Sequence, residues 1–481
     1  SRGQGRRRGA GDQERTPTNQ PAAASGSDDR EWHEINWQPK NINFTANPGP
    51  VKDAAALDSD KPADYVQLFI SDELIQDIVD QTNLYANQYI QNEKGNSPHS
   101  RIHAWKPVTV SEMKNFLGLF FLTGIIRKHD IEMYWSTEEM LATPYFNKVM
   151  SRNRFEIIWR FLHFSDNKAR PANDTDRLYK VLPVLDYLVS KFREMYQPST
   201  NICIDEGMLL WRGHLAFRSY ILCDSDTWYC YNMKPYCGEG AALEDTVIHL
   251  LDRLAGRGYR LFMDNFHNSV ALSKHLLDLK IHVCGTLRKN KGEPPRIMRH
   301  NDSVMVLAWR DKKIVKMITT FHENNMEDIQ VWQRGHKGKV RVQKPACIVE
   351  YNKAMNGVDK LDQNIVYYPF VRKSHKWTKK FVTYLFQISL FNAFVIYKAK
   401  NPQGKSPYNT DPGRRLDRNI ANHALVPILP TPKKQHPTRR CRVCSRKGLR
   451  RETSYCCAGC GVPLYFGECY TLYHSKAHYQ A

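Results

Sequence analysis

Two sets of residues in this 481-residue chain have the types and spacing that chemistry requires. The first set is acidic. Asp205 lies inside the apolar stretch NICIDEGMLL, Asp264 ends the short apolar run YRLFMD, and Asp359 and Asp362 lie in NGVDKLDQ. A carboxylate aimed at a core is costly unless it is paired or bound to a metal. If NGVDKLDQ is helical from Gly357, Val358, Leu361, Asp362 and Ile365 share one face and Asp359 stands beside Asp362. Acids converging from two strands and a helix suit a divalent cation. Mg²⁺ takes oxygen ligands and keeps waters for substrate phosphates. Two such ions, about 4 Å apart, can activate a nucleophile and stabilise a leaving oxygen in phosphodiester chemistry. Each acid also has a plainer use: an aspartate at a strand end caps a turn or helix, and Asp359 could pair with a lysine.

The second set is the run Cys441-x2-Cys444, twelve residues, Cys457-x2-Cys460, then Cys469 and His474. Six of the twelve cysteines follow Arg440. Such clustering argues for metal, in the first place Zn²⁺, over a disulfide framework. The other cysteines are scattered, as buried thiols of a reducing compartment are. A tetrahedral site takes four ligands, and Cys456 or His478 is a further candidate beside these six; whether one ion or two is held stays open. A RING-type or chromatin-reading module is the rival, although its histidine would sit mid-motif and His474 comes last.

The formal charge is +21, which points to a polyanionic partner, most simply nucleic acid. FVRKSHKWTKKF follows the third acid directly, and its Arg372, Lys373, Lys376, Lys379 and Lys380 are candidate phosphate contacts. PKKQHPTRRCRVCSRKGLRR is a second basic patch. No signal peptide is visible. The longest apolar run, Phe381–Tyr397, is interrupted by Gln387 and Asn392 and reads as a buried helix, so no membrane partner is expected.

The elements that must position these residues follow from composition and periodicity. Residues 1–61 read as a disordered basic tail. Residues 62–200 carry helical periodicity, with Thr109 and Glu112 as a capping box. Residues 201–290 alternate strands and helices, which implies an α/β sheet with parallel members. Residues 291–345 read as a hairpin-rich insertion. Helix returns at 346–366, with the third acid, and at 367–420; a linker (421–438) and the cysteine-rich segment (439–481) follow.

At these motifs the chain resembles the piggyBac family of DNA transposases, in particular copies related to the bat element. The resemblance covers about residues 64–474. Its carriers are EMYWSTEEMLATPYF, RLYKVLPVLDYLVSKF, DEGMLLWRGH, YCGEG, MDNFHNSV, CGTLRKNKG, EYNKAMNGVDKLDQ and CRVCSRKGLRRETSYCC. Each fragment is short; the ordered set is specific.

The resemblance implies an α/β RNase H-like catalytic core, an all-helical dimerisation and DNA-binding domain, and a C-terminal cross-braced zinc module that recognises transposon ends. It places the catalytic acids at Asp205, Asp264 and Asp359 on Mg²⁺ or Mn²⁺, with Asp362 accompanying. The implied reaction is strand cleavage by metal-activated water followed by attack of a DNA 3′-hydroxyl, through hairpinned ends, at TTAA sites, by a homodimer acting on double-stranded DNA in the nucleus. Three departures are expected to matter. His214 stands where relatives usually have Arg, and Tyr465 where relatives have a zinc ligand. In addition, Tyr220 runs through Ile221 and Leu222 into Cys223 without the further stretch that relatives carry. A strand beside Asp205 is therefore expected to be missing. The alternative function is that of a domesticated DNA-binding or chromatin-associated protein with reduced or lost catalysis.

Overall fold

The computed structural model describes residues 32–92, 100–208, 218–236, 243–288, 296–301, 303–310, 313–332, 338–370, 376–402, 416, 423–428 and 434–476. Two compact units divide the chain, residues 1–400 and 401–481.

The first unit begins with an extended strap. Contrary to the expected tail to residue 61, the chain is ordered from residue 32. His33 bridges His300, the Trp37 indole donates to the His322 carbonyl at 2.7 Å, and Gly49–Pro50 (β1) pairs with Tyr196–Gln197 (β2). This polar, proline-rich segment has no core of its own, but it satisfies backbone groups along a surface built by later residues. Helices Lys52–Ala56 (α1), Pro62–Gln67 (α2), Asp72–Asn92 (α3), Val110–Ile125 (α4), Pro144–Val149 (α5), Arg152–Phe161 (α6) and Leu182–Met195 (α7) follow. Thr109 caps α4 by accepting from the Glu112 N–H at 3.2 Å. The Glu112 carboxylate does not close the box; it takes a two-pronged pair with Arg154 at 2.7 Å on each oxygen.

Strands Asn201–Met208 (β3), Arg218–Asp224 (β4) and Cys230–Tyr236 (β5), helix Leu243–Leu250 (α8), strand Arg260–Met263 (β6), helix Val270–Asp278 (α9) and strand His282–Thr286 (β7) build the sheet. Arg296–His300 (β8), Met305–Arg310 (β9) and Ile314–Thr319 (β10) extend it to eight strands in the order β5-β4-β3-β6-β7-β10-β9-β8. The β3–β6 and β6–β7 pairs are parallel; β4 is antiparallel to both its neighbours. Two expectations change here. The strand beside Asp205 is present: β4 spans Tyr220–Ile221 and pairs with β3 over its whole length, Asp205 opposite Ile221. The residues that run from Tyr220 into Cys223 are themselves the strand. Likewise, residues 296–319 are not a separate insertion, because β10 pairs with β7 and carries β9 and β8 into the sheet. Among the described residues of 291–345, Met326–Trp332 (β11) and Lys339–Pro345 (β12) pair apart from the large sheet.

Ala346–Ala354 (α10), Gly357–Tyr367 (α11) and Trp377–Lys400 (α12) complete the unit. α12 is long and apolar enough to cross a membrane by length and composition, and most of it is buried against α2 and α7. The polar residues that interrupt its apolar run have partners, inward for Asn392 and at the surface for Gln387. Asn392 accepts from the Cys230 N–H and donates to the Cys230 carbonyl, each at 2.9 Å, on edge strand β5. Gln387 donates to the Tyr368 carbonyl at 3.2 Å. One continuous apolar core joins both layers, from Phe69 and Leu188 through Ile204, Leu261 and Val283 to Leu361 and Leu385.

The second unit is small. Leu425–Pro427 (β13), Arg439–Arg440 (β14), Arg442–Arg446 (α13), Glu452–Thr453 (β15), Tyr455–Cys457 (β16) and Glu468–Ser475 (α14) are its elements, with β13 paired to β16 and β14 to β15. The expected linker is thus part of the unit.

Candidate active site and cysteine-rich metal centre

β3 and β6 run in register from Asn201 opposite Arg260 to Ile204 opposite Met263. Asp205 is the next residue of β3, and Asp264 directly follows the last residue of β6. The two acids therefore leave neighbouring strands at one level on one face, where strand spacing is about 4.8 Å. This is the carboxyl end of the parallel pair, where sites of α/β sheets form. Cys203 shares the face of Asp205. Gly357, at the start of α11, lies so close to it that a Cβ there would stand 2.5 Å from Cys203 Sγ. The first turn of α11 thus lies on β3, and it carries Asp359.

The charges of two of the acids act on the third. Burial, and then the charges of Asp264, Glu206 and Asp359, raise the Asp205 carboxyl to about 6, against the lowering effect of the Glu206 N–H. At Asp264 burial also pushes upward, but the His267 ring and the N–H groups of Phe266 and His267 hold the carboxyl below its usual range. All three bonds go to Oδ1, from the His267 ring at 3.1 Å and from the Phe266 N–H at 2.9 Å. Asp264 is thus a turn-capping residue and a site candidate at once. Asp205 likewise accepts from the Glu206 N–H through Oδ1.

Among the described residues the second oxygen of each acid and both oxygens of Asp359 accept no hydrogen bond, and no lysine or arginine pairs with any of the three. Carboxylates with oxygens left open, the charges of two raising the third, suit a divalent cation, although the three do not all bring an oxygen within 4.8 Å of one another. Asp362 has a different setting: Tyr384 Oη of α12 donates to its Oδ1 at 3.3 Å, and its charge is among those that raise Cys223 on β4.

Neighbours without an obvious sequence signal complete the site. His267 is buried to 0% side-chain exposure, with its ring edge-on to Tyr220 at 5.2 Å. On β7, a Cβ at Gly285 would meet the Met263 carbonyl oxygen at 2.2 Å and Asn268 Nδ2 at 2.4 Å, so only glycine leaves room for the backbone that delivers Asp264. Asp224, by contrast, is a structural acid, taking the N–H groups of Asp226, Thr227 and Ser199 at 2.6–2.8 Å.

The basic segment divides. Arg372 and Lys373 lie outside the described residues, as does His214. Lys376 is exposed, with its ammonium 5.5 Å from the Tyr85 ring centroid, and Lys380 is half-buried. Lys379 is not a surface cation. It is buried, and donates to the Arg160 carbonyl at 3.1 Å and to the Trp159 carbonyl.

In the second unit the cysteine-rich segment forms two groups that could hold a metal ion: His423, Cys457, Cys460 and His474, and Cys441, Cys444 and Cys469. The ligand pairs interleave along the chain, as cross-bracing requires. In the first group His423 Nδ1 lies 3.5 Å from Cys457 Sγ and 3.4 Å from Cys460 Sγ, and His474 Nε2 lies 3.6 Å from Cys460 Sγ. A tetrahedral zinc with ordinary bond lengths sets such N and S atoms about 3.6 Å apart. In the second, Cys444 and Cys469 sulfurs are 3.5 Å apart, and burial together with Cys444 and Cys441 pushes Cys469 up to about 12. The Tyr465 N–H donates to Cys441 Sγ at 3.3 Å. His423 was not anticipated, because it precedes the first cysteine pair by a proline-rich stretch. Cys456 belongs to neither group, and His478 lies outside the described residues.

A mixed sheet with helices that gathers acids at the carboxyl end of its central strands fits the core of a transposase. A family model described as Transposase IS4 matches residues 61–394. Human PiggyBac transposable element-derived protein 3 is 25% identical, over 86% of this chain and 76% of that protein. Human PiggyBac transposable element-derived protein 2 is 24% identical, over 77% and 67%. A chain from a cryo-EM structure of a piggyBac transposase synaptic complex with hairpin DNA has the same fold, with a TM-score of 0.61 and 22% identity, over 74% of this chain and 78% of that one. The chain belongs to this transposase family and is of its piggyBac type.

Proposed function

We propose that the chain is a DNA transposase that cuts DNA strands and joins a freed 3′-hydroxyl to target DNA at TTAA sites, from an RNase H-like core carrying Asp205, Asp264 and Asp359. The observation that carries this reading is the in-register placement of Asp205 and Asp264 beside the first turn of α11. These three acids would hold Mg²⁺ or Mn²⁺. A bound ion supplies charge stabilisation at the phosphodiester and acidifies its water. The chain's own contribution is positional. The sheet fixes Asp205; His267 and the turn N–H groups occupy Oδ1 of Asp264 and leave Oδ2 for the ion; Tyr384 anchors Asp362 and with it the helix that carries Asp359.

DNA is the partner that the charge of +21 supports. The relative of the same fold was captured with hairpin DNA. Lys376 and Lys380, with Arg372 and Lys373, contact phosphates in this reading. The unit 401–481 holds zinc and recognises transposon ends, the helical layer mediates dimerisation, and a DNA substrate places the protein in the nucleus. A second reading, DNA binding without cleavage, is favoured by the names of the human relatives, which are transposable element-derived proteins. Linear DNA carrying candidate ends separates the two. With Mg²⁺ or Mn²⁺ the chain is expected to nick it and Asp264→Asn to leave it intact. Intact DNA with both proteins, each bound to the ends, would leave DNA binding as the function.

A further inference from the structure

The apolar face of α11 ends at Ile365, yet the chain continues with Val366, Tyr367 and Tyr368, which are 61%, 64% and 49% exposed. Ile125 at the end of α4 is also exposed, to 60%. Its neighbour Gly124 packs so closely that a Cβ there would stand 3.0 Å from the Tyr368 carbonyl oxygen. Single exposed apolar residues are ordinary, whereas a contiguous set marks an interaction surface. The backbone beneath this set is held from three sides. Arg127 donates to the Tyr367 carbonyl, Gln387 to the Tyr368 carbonyl at 3.2 Å, and the Tyr368 N–H to the Ile365 carbonyl at 3.2 Å. Exposed rings on a fixed stem lose little freedom when they bind.

Their place relative to the acids suggests the ligand. Val366 follows Asp359 by seven residues and Asp362 by four, so it shares their side of α11. Seven residues of helix advance about 10 Å, roughly three steps of a nucleic acid strand at about 3.4 Å each. Arg127 borders the rings, and Lys360 stands two turns below Tyr367 on the same helix. Aromatic faces flanked by cations, a few nucleotide steps from a phosphodiester-cutting centre, match the chemistry of a strand whose bases have left the duplex. Phenol rings stack on any base, and an apolar side chain between them can act as a wedge at a base step.

We propose that Val366, Tyr367 and Tyr368 form a stacking surface for unpaired bases of the DNA held at the acids; this rests on the transposase reading above. The test uses the full chain and two DNA probes, a fully paired duplex and the same duplex with a four-nucleotide single-stranded overhang containing 2-aminopurine. The parent chain is expected to bind the overhang probe more tightly and to quench its fluorescence. The double variant Tyr367→Ala/Tyr368→Ala is expected to lose the quench and about tenfold of the preference, with duplex affinity and salt slope unchanged. Tyr367→Phe/Tyr368→Phe is expected to keep both, which separates stacking from a general loss of structure. A double alanine variant that quenches and prefers the overhang like the parent, while still binding duplex, would overturn the surface and leave the transposase reading intact. An altered oligomer mass with unchanged quench would assign the patch to a second copy of the chain and overturn it too. If the parent binds neither probe, both readings fall.

Discussion

The acidic site and the cysteine-rich unit differ in how far they bring ligand atoms together. The cysteine and histidine groups have theirs within 4.8 Å of one another, whereas the three acids, placed by strand register and a packed helix, do not form such a group. Asp205, Asp264 and Asp359 are delivered by sheet register and a packed helix, on elements buried in one extensive core. The second unit has a buried apolar cluster of Cys441, Val443, Cys444, Cys457, Val462, Leu464 and Tyr473, in which three of the seven members are themselves candidate ligands. In the first region the fold would position an ion. In the second an ion would hold the fold, since little apolar surface remains to stabilise it once the sulfurs are discounted. The cost of an empty site should differ accordingly, and that difference can be broken experimentally.

The largest expected effect is zinc removal. Structural zinc contributes on the order of 10–16 kcal/mol in small modules. Chelation should therefore make residues 423–476 protease-sensitive while the melting transition of residues 32–400 stays in place. Joint unfolding of both units would break the comparison. Next is Gly285→Ala, whose Cβ would stand 2.2 Å from the Met263 carbonyl oxygen. Overpacking there should cost about 1–3 kcal/mol in denaturant unfolding and displace the Asp264 turn.

Asp205→Asn should act in the other direction. Burial raises the folded carboxyl to about 6 from its ordinary 3.8. Its contribution to stability is thus full below about pH 3.8 and is lost as pH rises through 6, where the ionised acid becomes a liability. The amide should stabilise metal-free protein by about 2 kcal/mol at pH 8, after allowing for solvent screening. This gain should vanish by pH 4. A gain independent of pH would mean that charge is not its source. The smallest effects separate the lysines. Lys380→Ala should reduce the salt slope of DNA binding by about one. Lys379→Met should leave the slope alone and lower the melting temperature, because two carbonyls lose their donor.

Chemistry carried by local spacing was legible in the sequence. Six of the candidate metal ligands stand in Cys-x2-Cys pairs or just after them, and each of the three acids ends or interrupts an apolar pattern. Placement that depends on distant parts of the chain was not legible. His423 joins Cys457 and Cys460 from beyond a proline-rich stretch. His267 looks like an ordinary turn residue until its ring is seen buried against Tyr220. Gly285 and Gly357 matter for atoms they lack, which no periodicity reveals. Lys379 falls in a basic run, but helical phase turns it inward while Lys376 faces solvent. The strand at Tyr220 is hidden in the sequence for a related reason. Only pairing distinguishes a short connection from a strand, and Tyr220 and Ile221 pair with β3 on one side and β5 on the other.

The most direct test of the central claim is Mn²⁺ binding, followed by electron paramagnetic resonance, to zinc-loaded full-length protein and to Asp205→Asn, Asp264→Asn and Asp359→Asn. If the three acids form one cation site on a preformed scaffold, each single amide should weaken binding by tenfold or more, while the fold and the zinc content stay unchanged. Mn²⁺ affinity equal to the parent's in any one of the three variants would remove that acid from the site and contradict the account.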